Sequence, residues 1–395
     1  MKRILSVFAV LTLGNAACSL DAQNRAISFE HDKWENVLEK AKKENKLIYL
    51  DCFTTWCGPC KWMSKNVFTN DTVADFYNQH FVNVEMDMEK GEGLKLARKY
   101  GIRAYPTMLY LNGDGEVIHR KCGSAPAQAF VNTGRSALDP EQQLATFRKK
   151  FDSGKYEGGF AGSYFGQLQS ACQDYKHELA AYFSTQKESD LASRENWNII
   201  YSYLEDYSSK EFTYLEANRE KFSQLYTDDS VLSKISHIYS SGLSTAIRKK
   251  DEAVYKTLRE KVKASGINNS ERILLEADLQ YYLKHNEWKE YSVSAITYAE
   301  KYAKDDAMQL NALAWNIYEN VDDKTVLEKA SGWAKHSVEL KNMYANLDTY
   351  ASLLYKLGRK AEARKIAEEA IEAAKKDGSS YSETEDLLKK IGKLN

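Results

Sequence analysis

The chain has 395 residues, too many for one ordinary domain and enough for two with sizeable cores. Hydrophobic residues make up 43% and charged residues 28%, with a formal net charge of -1. That balance excludes a disordered chain and a general polyanion-binding surface, so nucleic acid is not an expected partner.

The chain starts with Met1-Lys2-Arg3, the apolar run Ile4 to Leu13, and the small residues Gly14, Ala16 and Ala17. This is the layout of a secretory signal, and the run is too short to cross a bilayer as a helix. Residues 1–22 are expected to be the signal peptide, cleaved after Ala22. Cys18, following Ala16-Ala17, leaves a lipoprotein signal open as well, although Asn15 stands where such signals carry a leucine. Nothing after residue 22 is apolar for long enough to span a membrane. The expected location is the periplasm or cell envelope, an oxidising compartment, with membrane attachment only through lipid on Cys18.

From 27 to 137 helix and strand alternate. Trp34, Val37, Leu38 and Ala41 share one helical face, and Leu47 to Phe53 then reads as a buried strand. A single helix is expected after Cys57, then a strand from Phe81 to Asp87, a helix around Leu94 to Tyr100, and a strand from Thr107 to Leu111. The turn Asn112-Gly113-Asp114-Gly115 leads to a strand from Val117 to Cys122, and a helix from about Pro126 to Leu138 closes the unit. The fold class is α/β, a mixed central sheet flanked by helices.

All four prolines, at 59, 106, 126 and 140, fall in the first 140 residues, and the remaining 255 have none. Proline punctuates strands and loops but is excluded from helix interiors, so the break divides an α/β domain, residues 23–138, from an all-helical region, residues 139–395. Asp139-Pro140 is expected to open the first new helix as N-cap and first-turn proline.

Beyond 139 the periodicity is helical throughout. Trp197, Ile200, Leu204 and Tyr207 make one stripe, and Leu347, Tyr350, Leu354 and Leu357 another. From Leu347 to Ala370, Ala351, Ala363 and Ala370 occupy positions where paired helices approach closely, with Gly358 between them; this resembles a tetratricopeptide repeat. Leu310, Ala314, Ala330 and Ala334 resemble it less well, and the reading of the rest as a helix-pair solenoid is by extension. Of 26 tyrosines, 21 lie beyond residue 139, most expected in the core and a minority able to form a peptide-binding surface. The charged face with Arg359, Lys360, Glu362, Arg364 and Lys365 reads as a solvated helix surface.

The chemistry concentrates in Asp51-Cys52-Phe53-Thr54-Thr55-Trp56-Cys57-Gly58-Pro59-Cys60-Lys61. Two residues between Cys57 and Cys60 let both sulfurs share the first turn of a helix, close enough to bridge reversibly. At the helix N-terminus the amide N–H groups and the dipole favour a thiolate at Cys57, making it the nucleophile, while Cys60, expected to be more buried, resolves the mixed disulfide. A zinc site needs two more ligands at suitable spacing, and no other Cys-x-x-Cys or His-x-x-His pair exists.

Trp-Cys-Gly-Pro-Cys-Lys between strand and helix resembles the active site of the thioredoxin family. The resemblance implies a thioredoxin-like fold and a protein thiol–disulfide oxidoreductase that needs no organic cofactor or metal, the Cys57–Cys60 dithiol being the redox group. By the same resemblance Asp51, six residues before Cys57, is a buried carboxylate that exchanges a proton with Cys60; the alternative is a solvated aspartate near a strand end. Tyr105-Pro106-Thr107 resembles the family's cis-proline loop, which faces the disulfide and offers backbone groups to substrate; an ordinary trans proline opening a strand is the alternative. Trp56, Gly58, Pro59, Tyr105 and Pro106 would form the substrate-binding surface.

Lys65 stands where thioredoxins carry a kinking proline, which predicts a straighter helix. Val67-Phe68-Thr69-Asn70-Asp71 through Asp87-Met88-Glu89 looks like extracytoplasmic members, such as the C-terminal domain of membrane reductases. The implied partners are protein disulfides or thiols and an upstream membrane electron donor, and the Gly58-Pro59 pair points to a reductase. The rival reading is a tetratricopeptide-type interaction scaffold with an accessory or sensing redox pair. Cys52 and Cys122, in strands, are expected to be buried core thiols, and Cys172 to be the cysteine left unpaired or paired between molecules.

Overall fold

The computed structural model describes residues 25–393 apart from 155, 157 and 158, so the expected signal peptide and Cys18 lie outside the described residues. The chain forms two compact units that divide between Gln186 and Lys187. The last strand ends at Cys122 and α5 at Leu138, and the compact unit containing the sheet continues through three further helices.

In the first unit the order is α1 (Trp34–Glu44), β1 (Leu47–Phe53), α2 (Gly58–Asn66), α3 (Asp71–His80), β2 (Phe81–Asp87), α4 (Gly93–Lys99), β3 (Thr107–Leu111), β4 (Val117–Cys122), α5 (Ala127–Leu138), α6 (Leu144–Asp152), α7 (Phe160–Ser170) and α8 (Lys176–Ser184). The sheet runs β2-β1-β3-β4, with β1 and β2 parallel and the other two pairings antiparallel. Both faces are covered, which is why β1 reads as a continuous apolar run. On one face Tyr49, Met63, Tyr77, Phe81, Tyr110 and Phe130 pack beneath α2, α3 and α5. On the other, Leu50, Cys52, Val84 and Leu109 meet Trp34, Val37 and Ala41 of α1 and Leu96 of α4. Gly134, inside α5, lets that helix approach α3: a Cβ there would stand 2.7 Å from Phe76 Cε1.

Four sequence expectations are corrected here. The helix after Cys57 is two helices, because α2 stops at Asn66 and Asn70 caps a new one by accepting the Val73 N–H. Lys65, where a kinking proline would stand, lies in the last turn of α2, and the chain leaves that helix after Asn66. Asp139-Pro140 does not open a helix: the Gln142 N–H returns to the Asp139 carbonyl, forming a turn with proline at its second position, and α6 starts at Leu144. The stripe through Trp197 outlasts its helix, which ends at Tyr203 with Leu204 as C-cap.

Cys122 and Cys172 are neither a lone core thiol nor an unpaired one: they form a disulfide with Cα atoms 5.9 Å apart, and Cys52 is the buried free thiol. Strand spacing reveals nothing of this pair, since 50 residues separate its members.

Cys122 lies on β4, the edge of the sheet, and two neighbours on the strand join it in holding the added helices. The His119 Nδ1 accepts the Leu144 N–H at the start of α6, and the Arg120 guanidinium donates to the Ala171 carbonyl after α7. Alternation along the strand places His119 on one face and Arg120 with Cys122 on the other. The edge strand is thus fastened on both faces, to the start of α6 and to the turn after α7.

The second unit, among its described residues, is helical throughout: α9 (Arg194–Tyr203), α10 (Lys210–Ala217), α11 (Arg219–Tyr226), α12 (Asp228–Lys249), α13 (Glu252–Ala264), α14 (Ser270–His285), α15 (Trp288–Tyr302), α16 (Ala307–Asn320), α17 (Lys324–Leu340), α18 (Tyr344–Lys356), α19 (Lys360–Asp377) and α20 (Ser382–Lys393). Pairs α12/α13, α14/α15, α16/α17 and α18/α19 are joined by turns of two or three residues, Lys250 and Asn286 ending their helices in the left-handed conformation. Ala314, Ala330, Ala334, Ala351, Ala363 and Ala370 are all fully buried where the paired helices meet. No described helix is long and apolar enough to cross a membrane.

Candidate active site

β1 delivers the chain to the site, and α2 leaves from it. Cys57 is the N-cap of α2, and its Sγ accepts the Cys60 N–H at 3.1 Å. Pro59 takes the first turn, where its missing N–H costs no helical hydrogen bond. Cys57 and Cys60 are bridged, with Cα atoms 5.3 Å apart. The two residues are 3% and 6% exposed, so burial does not rank them as the sequence reading expected. Their difference is positional: Cys57 receives the free N–H at the helix start, an interaction that favours a thiolate there.

Asp51, three residues upstream of Thr54, is 4% exposed, and its Oδ1 is buried with no hydrogen-bond partner among the described residues. Burial, assisted by the nearby Glu85 carboxylate, raises its pKa to about 7. Glu85 is its register partner on β2, so two carboxylates stand side by side on parallel strands. Both line an open cleft of about 420 Å³ together with Thr54, Cys60, Lys61 and Ser64. The buried aspartate is therefore in a cleft with the second cysteine, and its proton is exchangeable near neutral pH.

The Tyr105–Pro106 peptide is cis, and Thr107 after it pairs with Cys52 of β1. The Pro106 carbonyl accepts the Gly123 N–H at 2.9 Å, and the Thr107 hydroxyl donates to the Ala104 carbonyl at 2.8 Å. Trp56 is 65% exposed; its indole N–H donates to Glu89 Oε2 at 2.9 Å, and its ring meets Tyr105 edge-on with centroids 5.9 Å apart. Gly58 and Pro59 are exposed beside it. All eight residues singled out from the sequence sit around one end of β1.

Glu85 and Glu89 were not singled out. Their signal was available in the parallel pairing of β2 with β1, which sets Glu85 beside Asp51 and carries Glu89 past the strand ends, the edge at which α/β sheets place their sites. Among the described residues no group of three or more His, Cys, Asp or Glu could hold a metal ion. The arrangement supports thiol–disulfide exchange: a bridged pair at a helix N-terminus, a buried carboxyl of raised pKa in a cleft with Cys60, and the exposed Trp56, Gly58 and Pro59 beside it, while Tyr105 is half-buried and Pro106 buried.

A family model described as a thioredoxin-like domain matches residues 34–137. Thioredoxin H4 from Arabidopsis thaliana is 34% identical over 95 residues, 24% of this chain and 74% of its own length. Thioredoxin Asp f 29 from Aspergillus fumigatus is 32% identical over 88 residues, 22% of this chain and 76% of its own. Among solved structures, one titled a putative disulphide-isomerase from Bacteroides thetaiotaomicron is 47% identical, covering 30% of this chain and 98% of its own, with a TM-score of 0.28.

Proposed function

The chain belongs to the thioredoxin family and is a thiol–disulfide oxidoreductase, and from that premise we propose that it reduces protein disulfides outside the cytoplasm. In this reading Cys57 attacks a substrate disulfide, Cys60 resolves the mixed disulfide, and Asp51 takes up and returns the Cys60 proton. Trp56, Gly58, Pro59, Tyr105 and Pro106 bind the substrate chain, and the Cys57–Cys60 dithiol is the redox group that turns over.

One observation carries the mechanism: the Cys60 N–H points at Cys57 Sγ across the first turn of α2, with Asp51 buried in a cleft shared with Cys60 and its Oδ1 without a partner among the described residues. Attack by the Cys57 thiolate breaks the substrate S–S bond and forms a mixed disulfide. Cys60, deprotonated toward Asp51, then breaks that bond and forms the Cys57–Cys60 disulfide, releasing the substrate as a dithiol. Two electrons leave the pair with each turnover and must be returned, in this proposal by a membrane electron donor.

The apolar run at residues 4–13 supports export, and Cys122–Cys172, remote from the motif, is the kind of bond an oxidising compartment preserves. Gly58-Pro59 supports the reducing direction. The helix pairs of the second unit, with fully buried alanines at their contacts, support a tetratricopeptide-like platform that brings substrates to Cys57.

The deciding measurement is the equilibrium reduction potential of Cys57–Cys60, followed through Trp56 and Trp62 fluorescence in a graded thiol–disulfide buffer. A value near about -270 mV supports a reductase, and one near about -120 mV makes it a disulfide donor. Cys57→Ser abolishes turnover of a protein disulfide substrate in this reading. Capture of partners that survives Cys57→Ser but is lost on deleting residues 139–395 favours the scaffold instead.

A further inference from the structure

The cis-proline loop rests on β4, and β4 is where the added helices are fastened. Cys122 is the cross-strand partner of Thr107, the residue after Pro106, and the next residue, Gly123, donates its N–H to the Pro106 carbonyl. Two positions back, the guanidinium of Arg120 is 3% exposed and has three carbonyl partners. It donates to Tyr100 O at 2.7 Å and Gly101 O at 3.2 Å, where the segment leading to Pro106 begins, and to Ala171 O at 3.0 Å. Ala171 directly precedes Cys172, which is exposed and held in the left-handed conformation at φ 50°. A buried cation is retained only when its donors are met, so Arg120 needs both the loop and the Ala171 carbonyl in place.

We propose that Cys122–Cys172 is a second, regulatory redox site: a latch that, through the positioning residue Arg120, holds the Tyr100–Pro106 segment in its substrate-binding form and is released by a dithiol. Reduction begins with attack of an external thiolate on the Sγ of Cys172, an exposed residue. The Cys122–Cys172 bond breaks, Cys122 leaves as a thiolate and takes a proton, and a mixed disulfide forms on Cys172. The second thiol of the donor attacks its own sulfur in that bond, leaving the donor oxidised and Cys172 reduced. Two electrons and two protons have then passed to the latch. The donor class is a vicinal dithiol, which a second copy of this protein with Cys57 and Cys60 reduced satisfies. Freed from Cys122, the Ala171–Cys172 turn relaxes from its left-handed conformation, Arg120 loses its third acceptor, and the loop loses its anchor.

The proposal rests on the reading of the Pro106 loop as the substrate surface, and the test separates the two. In the full chain, a Cys122→Ser, Cys172→Ser double variant is compared with the parent on a protein disulfide and on a small aromatic disulfide. The expected result is a KM for the protein substrate raised five-fold or more with kcat nearly unchanged, while the rate on the small disulfide stays at the parent level. Arg120→Met raises KM in the same way and Arg120→Lys restores part of it. In the parent protein, alkylation and mass analysis after graded dithiothreitol should find Cys122 and Cys172 opening together while the folded circular dichroism is kept, with faster amide exchange at 100–106. Equal KM values in parent and double variant, or a bond that opens only on unfolding, overturn the latch. Loss of the small-disulfide reaction in the parent itself overturns the oxidoreductase reading instead.

Discussion

Buried aspartates are handled differently in the two units. In the helical unit Asp278 is 5% exposed and fully engaged: Arg259 donates to both its oxygens, at 2.9 and 2.8 Å, and the Tyr255 hydroxyl adds a third bond. Asp348, also buried, accepts from the Thr384 hydroxyl of α20. In the sheet unit Asp51 has one oxygen with no partner among the described residues and a carboxylate neighbour in place of a counter-ion. A satisfied buried acid holds helices together, and an unsatisfied one keeps a proton available. The comparison locates the chemistry in the first unit without reference to any motif.

The largest test of that contrast is Asp51→Asn. A carboxyl whose folded pKa is raised from 3.8 to about 7 contributes stability that is present below its unfolded pKa and lost as pH rises to the folded one. The oxidised protein should therefore lose stability between pH 4 and 7. Asp51→Asn should flatten that dependence and be more stable at pH 8 by about 3–4 kcal/mol, while its exchange reaction slows and loses its inflection near pH 7. Urea unfolding across this range checks the first part and stopped-flow kinetics the second. A variant less stable than the parent at pH 8 would break the comparison.

In the helical unit the same kind of change runs the other way. Arg259→Met leaves the buried Asp278 without its counter-ion, and because the Tyr255 hydroxyl still donates to it and the Arg259 side chain is itself one-third exposed the loss is expected at about 2–3 kcal/mol, below that of a fully buried pair. Two-step thermal unfolding should move one transition and leave the reduction potential of Cys57–Cys60 unchanged.

A smaller effect sharpens the picture of the sheet edge. His119 is buried and its pKa is pushed down to about 4, first by burial and then by Lys121, so its neutral Nδ1 can accept the Leu144 N–H. Lowered below its unfolded value of 6.5, it contributes stability that is full above pH 6.5 and lost as pH falls toward 4. About 2 kcal/mol should go by pH 5, with α6 exchanging its amides first. His119→Gln, which keeps an acceptor that does not titrate in this range, should remove the effect.

Some of this was legible from the residues and some was not, for a physical reason in each case. The bounds of β1, β2, β3 and β4 were readable because buried strands between Gly, Pro and Asn turns leave a local pattern. The pairing of Cys57 with Cys60 was readable because three positions of helix fix their distance. The break between α2 and α3 was missed because the apolar period runs on through Val67 and Phe68, both buried in the same core as Met63 and Val73. The turn at Pro140 was missed because an aspartate before proline serves a helix start and a β-turn equally well.

The sequence by itself determined the local elements, the reactive pair and the aspartate behind it, since each depends on neighbours a few positions away. Tertiary structure alone decided that Cys122 meets Cys172, that Arg120 ties Tyr100 and Gly101 to Ala171, and that Glu85 and Glu89 reach the site. Those contacts join residues from about 19 to 51 positions apart or lie across parallel strands. No periodicity records such a separation, because the cost of closing a loop grows only slowly with its length and leaves the choice of partner to packing.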